Sequence, residues 1–419
     1  MQRTVTTLRP FRYNTTSELV NTLVISSFCA FPWLVKRTNL LLETSIKLIG
    51  AEATCFYLDK TAGKVFSAGE TNEDLQRVLT RLSKQQLGAI IDYCAEGETT
   101  EEGLDKNTRA IIDSVKTAAA HKYPAVAVKL TAISNTAVLA RLNEVQKAAG
   151  SVYSNNMFQN LSKEGLLEFG LSLWEVEQVH RVFERARLIA RHCSSLGVDM
   201  MVDAEQTFYQ YAIDAIVTVL QREFNSNHAV VSNTVQCYLK DSVQKITDYI
   251  EYSNTHNLAT GIKLVRGAYL NEEKDLAAFM KYESPIWSSK SMSDHAYDEN
   301  LKKLLYSYQV GNKLCVATHN EQSVLIAQEA IEQMKIDRKY GGVTFGQLLG
   351  MKAMMSESLA SSGFATQKYV PYGPVQKLMP YLVRRAAEQS EVVKEIHAQV
   401  RQVLDEFKLR SKSVYYSPN

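Results

Sequence analysis

Proline and glycine are scarce in this sequence, 8 and 19 of 419 residues. That scarcity excludes collagen-like and proline-rich disordered chains, and no low-complexity tract or short-period repeat is present. Net charge is nearly absent. Lys and Arg number 47 against 45 Asp and Glu, a formal +2, which gives no reason to expect nucleic acid as a partner. Cysteines are few and scattered. Cys29, Cys55, Cys94, Cys193, Cys237 and Cys315 show no C-x-x-C spacing, so neither a zinc site nor a disulfide framework is expected, and a reducing compartment fits. No apolar run reaches spanning length; the nearest, Leu19 to Val35, is broken by Asn21, hydroxyl residues and Pro32 and reads as a buried helix.

What is present is enough apolar material for a large core, 45% of the residues. Length alone suggests two or three domains, although α/β barrels use about 250 residues or more as one unit. Short β-branched or apolar runs return eight times, each ending in polar residues: Gly88–Cys94, Ala125–Thr131, Asp199–Asp203, Val230–Gln236, Gly261–Arg266, Lys313–His319, Gly342–Gln347 and Gln367–Pro371. Between them lie stretches of helical period, such as Leu173–Leu196, with Val176, Val179, Val182, Phe183, Ala186 and Ile189 on one stripe, and Asp241–Thr255. Eight strands alternating with helices predict a parallel sheet, and eight is the number a closed barrel needs. An open doubly wound sheet is the alternative, weakened by the lack of a G-x-G-x-x-G after any strand. The first ~85 residues fall outside the alternation and read as a helical arm, with helices over Thr16–Cys29, Asn39–Ile49 and Asn72–Leu87. Leu139–Leu171 reads as a longer helical insertion between the second and third strands. Arg3, Arg9 and Arg12, among threonines and without an acid, make residues 1–16 either a mitochondrial targeting segment or a plain basic tail.

In a parallel barrel the chemistry gathers at the C-terminal strand ends. Here those ends carry Asp92 and Glu96, Lys129, Asp203 with Glu205, Gln236, Lys263 with Arg266, His319 with Asn320, Gln347, and Tyr369. One polar strand end is ordinary; eight together point to a polar ring around one mouth. After Pro380, the run Tyr381-Leu-Val-Arg384-Arg385-Ala-Ala-Glu388 is helical, and Arg384 can reach Glu388 at i,i+4. Adjacent arginines are commonly a solvated face. Their functional reading is a carboxylate clamp, because a guanidinium fork matches a carboxylate.

At this point the sequence resembles the proline dehydrogenase family. The resemblance rests on Asp92-Tyr-Cys-Ala-Glu96-Gly, Val202-Asp-Ala-Glu205, Lys263-Leu-Val-Arg-Gly-Ala-Tyr269, Ala317-Thr-His-Asn320 and Tyr381-Leu-Val-Arg-Arg-Ala-Ala-Glu388. They occur in the family's order and cover about residues 17 to 400. The resemblance implies a distorted (β/α)8 TIM-type barrel over 88–410, an N-terminal helical arm over 17–87, a final helix capping the barrel mouth and a tail over 411–419. It implies FAD over the strand ends, oxidation of L-proline to 1-pyrroline-5-carboxylate as the first step of proline catabolism, and electron delivery to ubiquinone or another membrane acceptor. It also implies peripheral membrane association and a mitochondrial location on the matrix side of the inner membrane. Bacterial relatives can carry a fused aldehyde dehydrogenase domain. This chain ends soon after the lid helix, so the product is expected to leave for a separate enzyme.

By matching position, Lys129, Asp203, Tyr369, Arg384, Arg385 and Glu388 belong to the proline pocket. Arg384 and Arg385 would hold the carboxylate, Glu96 would pair with the arginines, and Tyr269 would wall the site. Gln236, Lys263, Val265, Arg266, Gly267, His319, Asn320 and Gln347 form the expected flavin set. Lys263 and Arg266 exchange identities relative to bacterial relatives, and Leu270 stands where many of those have tryptophan. No metal is expected, because no second ligand lies at metal spacing from His319.

The chemistry asks for this equipment. No side chain can accept a hydride, so a cofactor must, and the protein's part is orientation and electrostatics. The substrate amine must be neutral for hydride loss, and nearby cations, Lys129 among them, would favour that form. Asp203 would orient Lys129 or Tyr369. A Tyr369 hydroxyl would crowd a 4-hydroxyl group, which favours proline over 4-hydroxyproline. Two rival readings stand beside this one: another barrel flavoenzyme of the methylenetetrahydrofolate reductase type, and a catalytically silent barrel.

Overall fold

The computed structural model describes residues 8–35, 37–94, 97–153, 161–390 and 393–415. The chain forms two compact units, Ile90–Gly346 and the combination of Met1–Ala89 with Gln347–Asn419.

Among the described residues the α-helices before the first strand are α1 (Thr16–Cys29), α2 (Pro32–Val35), α3 (Thr38–Ile49), α4 (Ala51–Leu58), α5 (Lys64–Phe66) and α6 (Asn72–Lys84), with a π-helical turn over Asp59–Gly63 between α4 and α5. Thr15 and Glu18 form a reciprocal capping box at the start of α1, which satisfies two otherwise orphaned amides. The apolar run Leu19–Val35 is therefore not one buried helix. It breaks after Cys29, and Pro32, unable to continue a helix but well suited to begin one, opens α2. Val20, Val24, Phe31 and Trp33 are exposed along it. From Arg9 onward the basic N-terminal segment is part of the folded body. Arg9 forms a fork on Glu406 (3.0 and 3.1 Å), and Phe11 packs with Leu19 and Val403. Arg3 and its neighbours before Leu8 lie outside the described residues.

The strands are β1 (Gly88–Tyr93), β2 (Ala125–Val128), β3 (Asp199–Val202), β4 (Val231–Gln236), β5 (Gly261–Val265), β6 (Lys313–Ala317), β7 (Val343–Leu348) and β8 (Thr366–Tyr372), closing in sequential order as a barrel. The pairs from β1 to β7 are parallel, with registers such as Asp92↔Ala127, Val128↔Val202, Thr234↔Lys263 and Lys263↔Cys315. Between the strands run α7 (Glu101–Ala119), α8 (Thr136–Ala149), α9 (Lys163–Glu168), α10 (Leu173–Leu196), α11 (Thr207–Phe224), α12 (Ser242–Thr255), α13 (Leu270–Met280), α14 (Lys290–Tyr306) and α15 (Glu321–Gln333). After β7 come α16 (Ala353–Ser361), α17 (Val375–Ser390) and α18 (Val393–Tyr415).

The expected insertion at Leu139–Leu171 is divided between α8 and the short α9, because Gly150 at positive φ ends α8. The predicted stripe of α10 is buried at Val176, Val179, Val182, Ala186 and Ile189. Arg185 is buried on the same helix. It bonds Asp105 (2.8 Å), Glu101 (2.5 Å) and the Ile133 carbonyl (3.2 Å), so its charge is compensated where it sits. The six cysteines are buried and free.

Candidate active site at the strand ends

Four ionised side chains from β1, β2, β3 and β5 meet inside the unit Ile90–Gly346. Lys129 Nζ donates to both oxygens of Asp92 at 2.9 and 3.0 Å and lies 3.5 Å from Asp203 Oδ2; Asp203 Oδ1 accepts from Lys263 Nζ. All four are buried, Asp92 to 1% exposure. Two acids and two bases sum to zero, which is what allows charges to persist out of water. Asp203 thus orients Lys129, and it also joins Lys129 to Lys263, which the sequence had assigned to the flavin set. Asp92, noted as a polar strand end and a motif residue but given no role, is the principal partner of Lys129. The charge offsets expected of Lys129 are therefore shared with two carboxylates.

A second knot ties the ends of β2, β3 and β4. Glu205 accepts from the Thr131 amide (3.2 Å) and hydroxyl (2.5 Å), while Gln236 Nε2 donates to the Glu205 carbonyl at 2.9 Å. Glu205 was legible as a strand end and a motif residue and Thr131 only as the end of its run, and neither has a spacing that marks a partnership.

Arg266 follows β5. Its three nitrogens bond Asp294 (2.5 Å), the Thr318 hydroxyl (2.6 Å) and the Ser323 hydroxyl (3.0 Å), and its guanidinium lies 4.3 Å from the centre of the Tyr297 ring. Burial works against the Asp294 charge, but hydrogen bonds from Lys290 and Arg266 hold its pKa below the ordinary range. The next residue is Gly267, at φ 139°. A Cβ there would lie 2.5 Å from the Tyr238 ring, so the backbone passes where only glycine fits. The carbonyls of Val265 and Arg266 accept from the Cys237 and Tyr238 amides, both at 2.8 Å. Tyr269 is buried at the start of α13. One turn on, Glu273 accepts from the Thr207 amide (2.5 Å) and hydroxyl (2.7 Å), anchoring α13 to the first turn of α11.

His319 is half-buried after β6. Asn320 caps α15, its Oδ1 accepting from the Gln322 and Ser323 amides at 2.9 and 3.3 Å. A cap is thus one task of a residue assigned from its motif to the cofactor.

In the other unit, Gln347 Oε1 accepts from the Ser356 hydroxyl at 2.9 Å, and half-buried Tyr369 accepts through its carbonyl from the Leu349 amide at 3.0 Å. Arg384 and Arg385 lie on α17. Arg384 is half-buried; Arg385 is buried, its guanidinium 5.0 Å from the Tyr381 ring centre. Glu388 belongs to the same helix, with its side chain outside the described residues, and Glu96 lies outside them altogether.

The residues at β4, β5 and β6 fit a flavin dinucleotide in their chemistry. Gln236, Lys263, Arg266 and His319 offer donors on consecutive strand ends, as carbonyl-rich and phosphate-bearing groups require. Among the described residues no cluster of metal-ligating side chains occurs.

A closed parallel barrel with a neutralised ionic network at its strand ends is the architecture of a (β/α)8-barrel enzyme. A sequence profile described as proline dehydrogenase matches residues 75–398. The chain belongs to the proline dehydrogenase family, and with it to the oxidoreductases. It is 31% identical to a hydroxyproline dehydrogenase of Xenopus laevis over 402 residues, 92% of this chain and 85% of that protein. It is 37% identical to the human mitochondrial proline dehydrogenase 1 over 264 residues, 61% of this chain and 44% of that one. The chain therefore spans less than half of the human protein it matches. Proline utilization A from Bdellovibrio bacteriovorus, solved after inactivation by N-propargylglycine, has the same fold with a TM-score of 0.66 at 19% identity, covering 91% of this chain and 37% of that one.

Proposed function

We propose that this protein oxidises L-proline to 1-pyrroline-5-carboxylate with FAD as its cofactor, in mitochondria, and that its electrons pass to a membrane quinone. The observation that carries the reading is the buried Asp92–Lys129–Asp203–Lys263 network in a chain of this family. FAD, when bound, supplies the hydride acceptor that the side chains lack. Gln236, Lys263, Arg266, Gly267, His319 and Asn320 would hold it, with Val265 and Gln347 beside them.

The chain's own residues handle the substrate. Arg384 and Arg385 take the carboxylate, since a small amino acid offers only that and its amine as strong handles. Glu96 and Glu388 are the acids that would pair with the arginines. Lys129 is held rigid between two carboxylates and positions the ring. Because the network is neutral, it does not favour a protonated substrate amine, the form that cannot lose a hydride. Tyr269 walls the pocket. Tyr369 disfavours a 4-hydroxyl group and so argues for proline, although three of the extended likenesses are to hydroxyproline dehydrogenases.

The membrane reading is supported by the arm. Helices α2, α3 and α4 expose Trp33, Leu40, Leu41, Leu48, Ile49, Phe56 and Tyr57, large apolar side chains of the kind that membrane contacts use. Arg37 and Lys60 stand over the Trp33 and Phe56 rings at 6.0 and 5.5 Å, and paired aromatics and cations suit a bilayer interface. Among the described residues no helix is long and apolar enough to cross a membrane.

Anaerobic titration with L-proline, following the visible flavin absorbance, tests the reaction. Bleaching by proline, much weaker with 4-hydroxyproline and lost in Arg384→Met, is the expected result. Bleaching by 4-hydroxyproline in preference to proline would overturn the substrate assignment. A protein that cannot be loaded with FAD would overturn the whole reading.

A further inference from the structure

Lys368 plays no part in the proposed chemistry, yet it is among the most confined charges in the molecule. It lies on β8 with 4% exposure. Its Nζ donates to the carbonyls of Met351 (2.6 Å) and Leu348 (3.4 Å). Two carbonyls occupy two N–H groups, the complement of a neutral amine; an ammonium has a third to place. Among the described residues no carboxylate pairs with it. Burial alone lowers its pKa to about 7 from an ordinary 10.5.

The side chain lines a cavity of about 50 Å³ inside the unit that contains α1, α6, β8 and α18. Since roughly 10–15 Å³ is the least that holds one water, it has room for a small group of a few heavy atoms. The charged residues on its wall besides Lys368 are Glu18 on α1, Lys64 on α5 and Arg81 on α6. No charged residue of the β7–α16 turn or of α18 is among them. Glu18 is engaged by Arg81, and Lys64 lies 3.5 Å from Asp74. Those charges cancel in pairs. The ammonium of Lys368 is the charge left over, and the wall around it carries side-chain amides at Gln85 and Gln399.

We propose that this cavity binds a small oxyanion, a simple carboxylate or bicarbonate, which enters together with a proton taken up by Lys368. The anion supplies the missing countercharge, and the third N–H of the ammonium supplies its hydrogen bond. Binding and protonation are then linked, each favouring the other. The site is independent of the reading given for the strand ends, because it uses none of those residues.

The test uses the full-length protein. Thermal unfolding is followed with sodium formate or with equal sodium chloride, at about pH 6 and about pH 9. Formate is expected to raise Tm above chloride, more at the lower pH, and the difference is expected to vanish in Lys368→Met. Equal effects of formate and chloride, or a formate effect that survives Lys368→Met, would overturn the site. Should that variant fail to fold, calorimetric titration of the wild type with formate near pH 8, in two buffers of different ionisation enthalpy, reads the proton directly. Uptake approaching roughly one proton per anion is expected; binding without uptake, or no binding, overturns the proposal.

Discussion

At the scale of the residue, Lys129 shows how a charge is held in a barrel. Its ammonium bridges Asp92 and Asp203, and Lys263 completes a neutral set. Removing it leaves the set at −1, with a buried carboxylate at Asp92. Lys129→Met is expected to cost about 3–5 kcal/mol of stability, the usual penalty for an uncompensated buried charge. It is also expected to raise KM for proline. The acid limb of the kcat/KM profile should move to higher pH, because a net negative site favours the protonated amine. The double variant Asp92→Asn/Lys129→Met restores neutrality. It should recover stability and the pH limb while KM stays high. A pH limb unmoved in the single variant would remove Lys129 from any electrostatic role. The partnership itself could not be read from the chain, since Asp92 and Lys129 are 37 positions apart and only the register of β1 on β2 brings them together.

At the scale of the element, the arm is the part whose surface is least explained by its own packing. Its helices follow from ordinary signals: a capping box at Thr15, a proline at the start of α2, and Gly50 at φ 85° between α3 and α4. Their exposed apolar side chains do not. Full burial of such a side chain stabilises by roughly 1.5–3 kcal/mol. Trp33→Asp/Leu48→Asp is therefore expected to weaken co-sedimentation with lipid vesicles at least about tenfold, leaving Tm and the proline response of the flavin unchanged. Undiminished vesicle binding would move the membrane contact elsewhere. The strands, by contrast, were nearly all legible to within a residue or two. A fully buried strand reads as a short apolar run whatever its neighbours.

At the scale of the whole molecule, Lys368 gives stability a pH dependence. Its folded pKa of about 7 lies below the unfolded value, so between about 7 and 10.5 the unfolded chain binds more protons. Stability therefore rises with pH across that window, and below about 7 the cost is constant at its greatest. The gap corresponds to roughly 5 kcal/mol. In buffers free of small oxyanions, Lys368→Met should raise stability near and below neutral pH and flatten its rise toward pH 10. Denaturant unfolding across that range checks it. A wild-type curve that is flat from pH 7 to 10 would show that the amine is not desolvated in solution.

The sequence by itself determined the eight strands, their alternation with helices and the polar residues at their C-terminal ends, while closure into a barrel in sequential order is a property of the fold. Local apolar runs, caps and breakers specify elements without knowledge of distant partners. It also carried the family, because the five motifs sit on strand ends and on one helix whose positions the pattern alone marks. Pairing was decided only by tertiary structure. Asp203 meets both Lys129 and Lys263, Arg266 turns to Asp294 and Thr318, Glu205 holds Thr131, and Arg9 is recruited from a basic tail to a buried Glu406. A charge can be buried only where an opposite charge or a dipole already waits, and where that partner lies is a property of closed space, not of the order of residues along the chain.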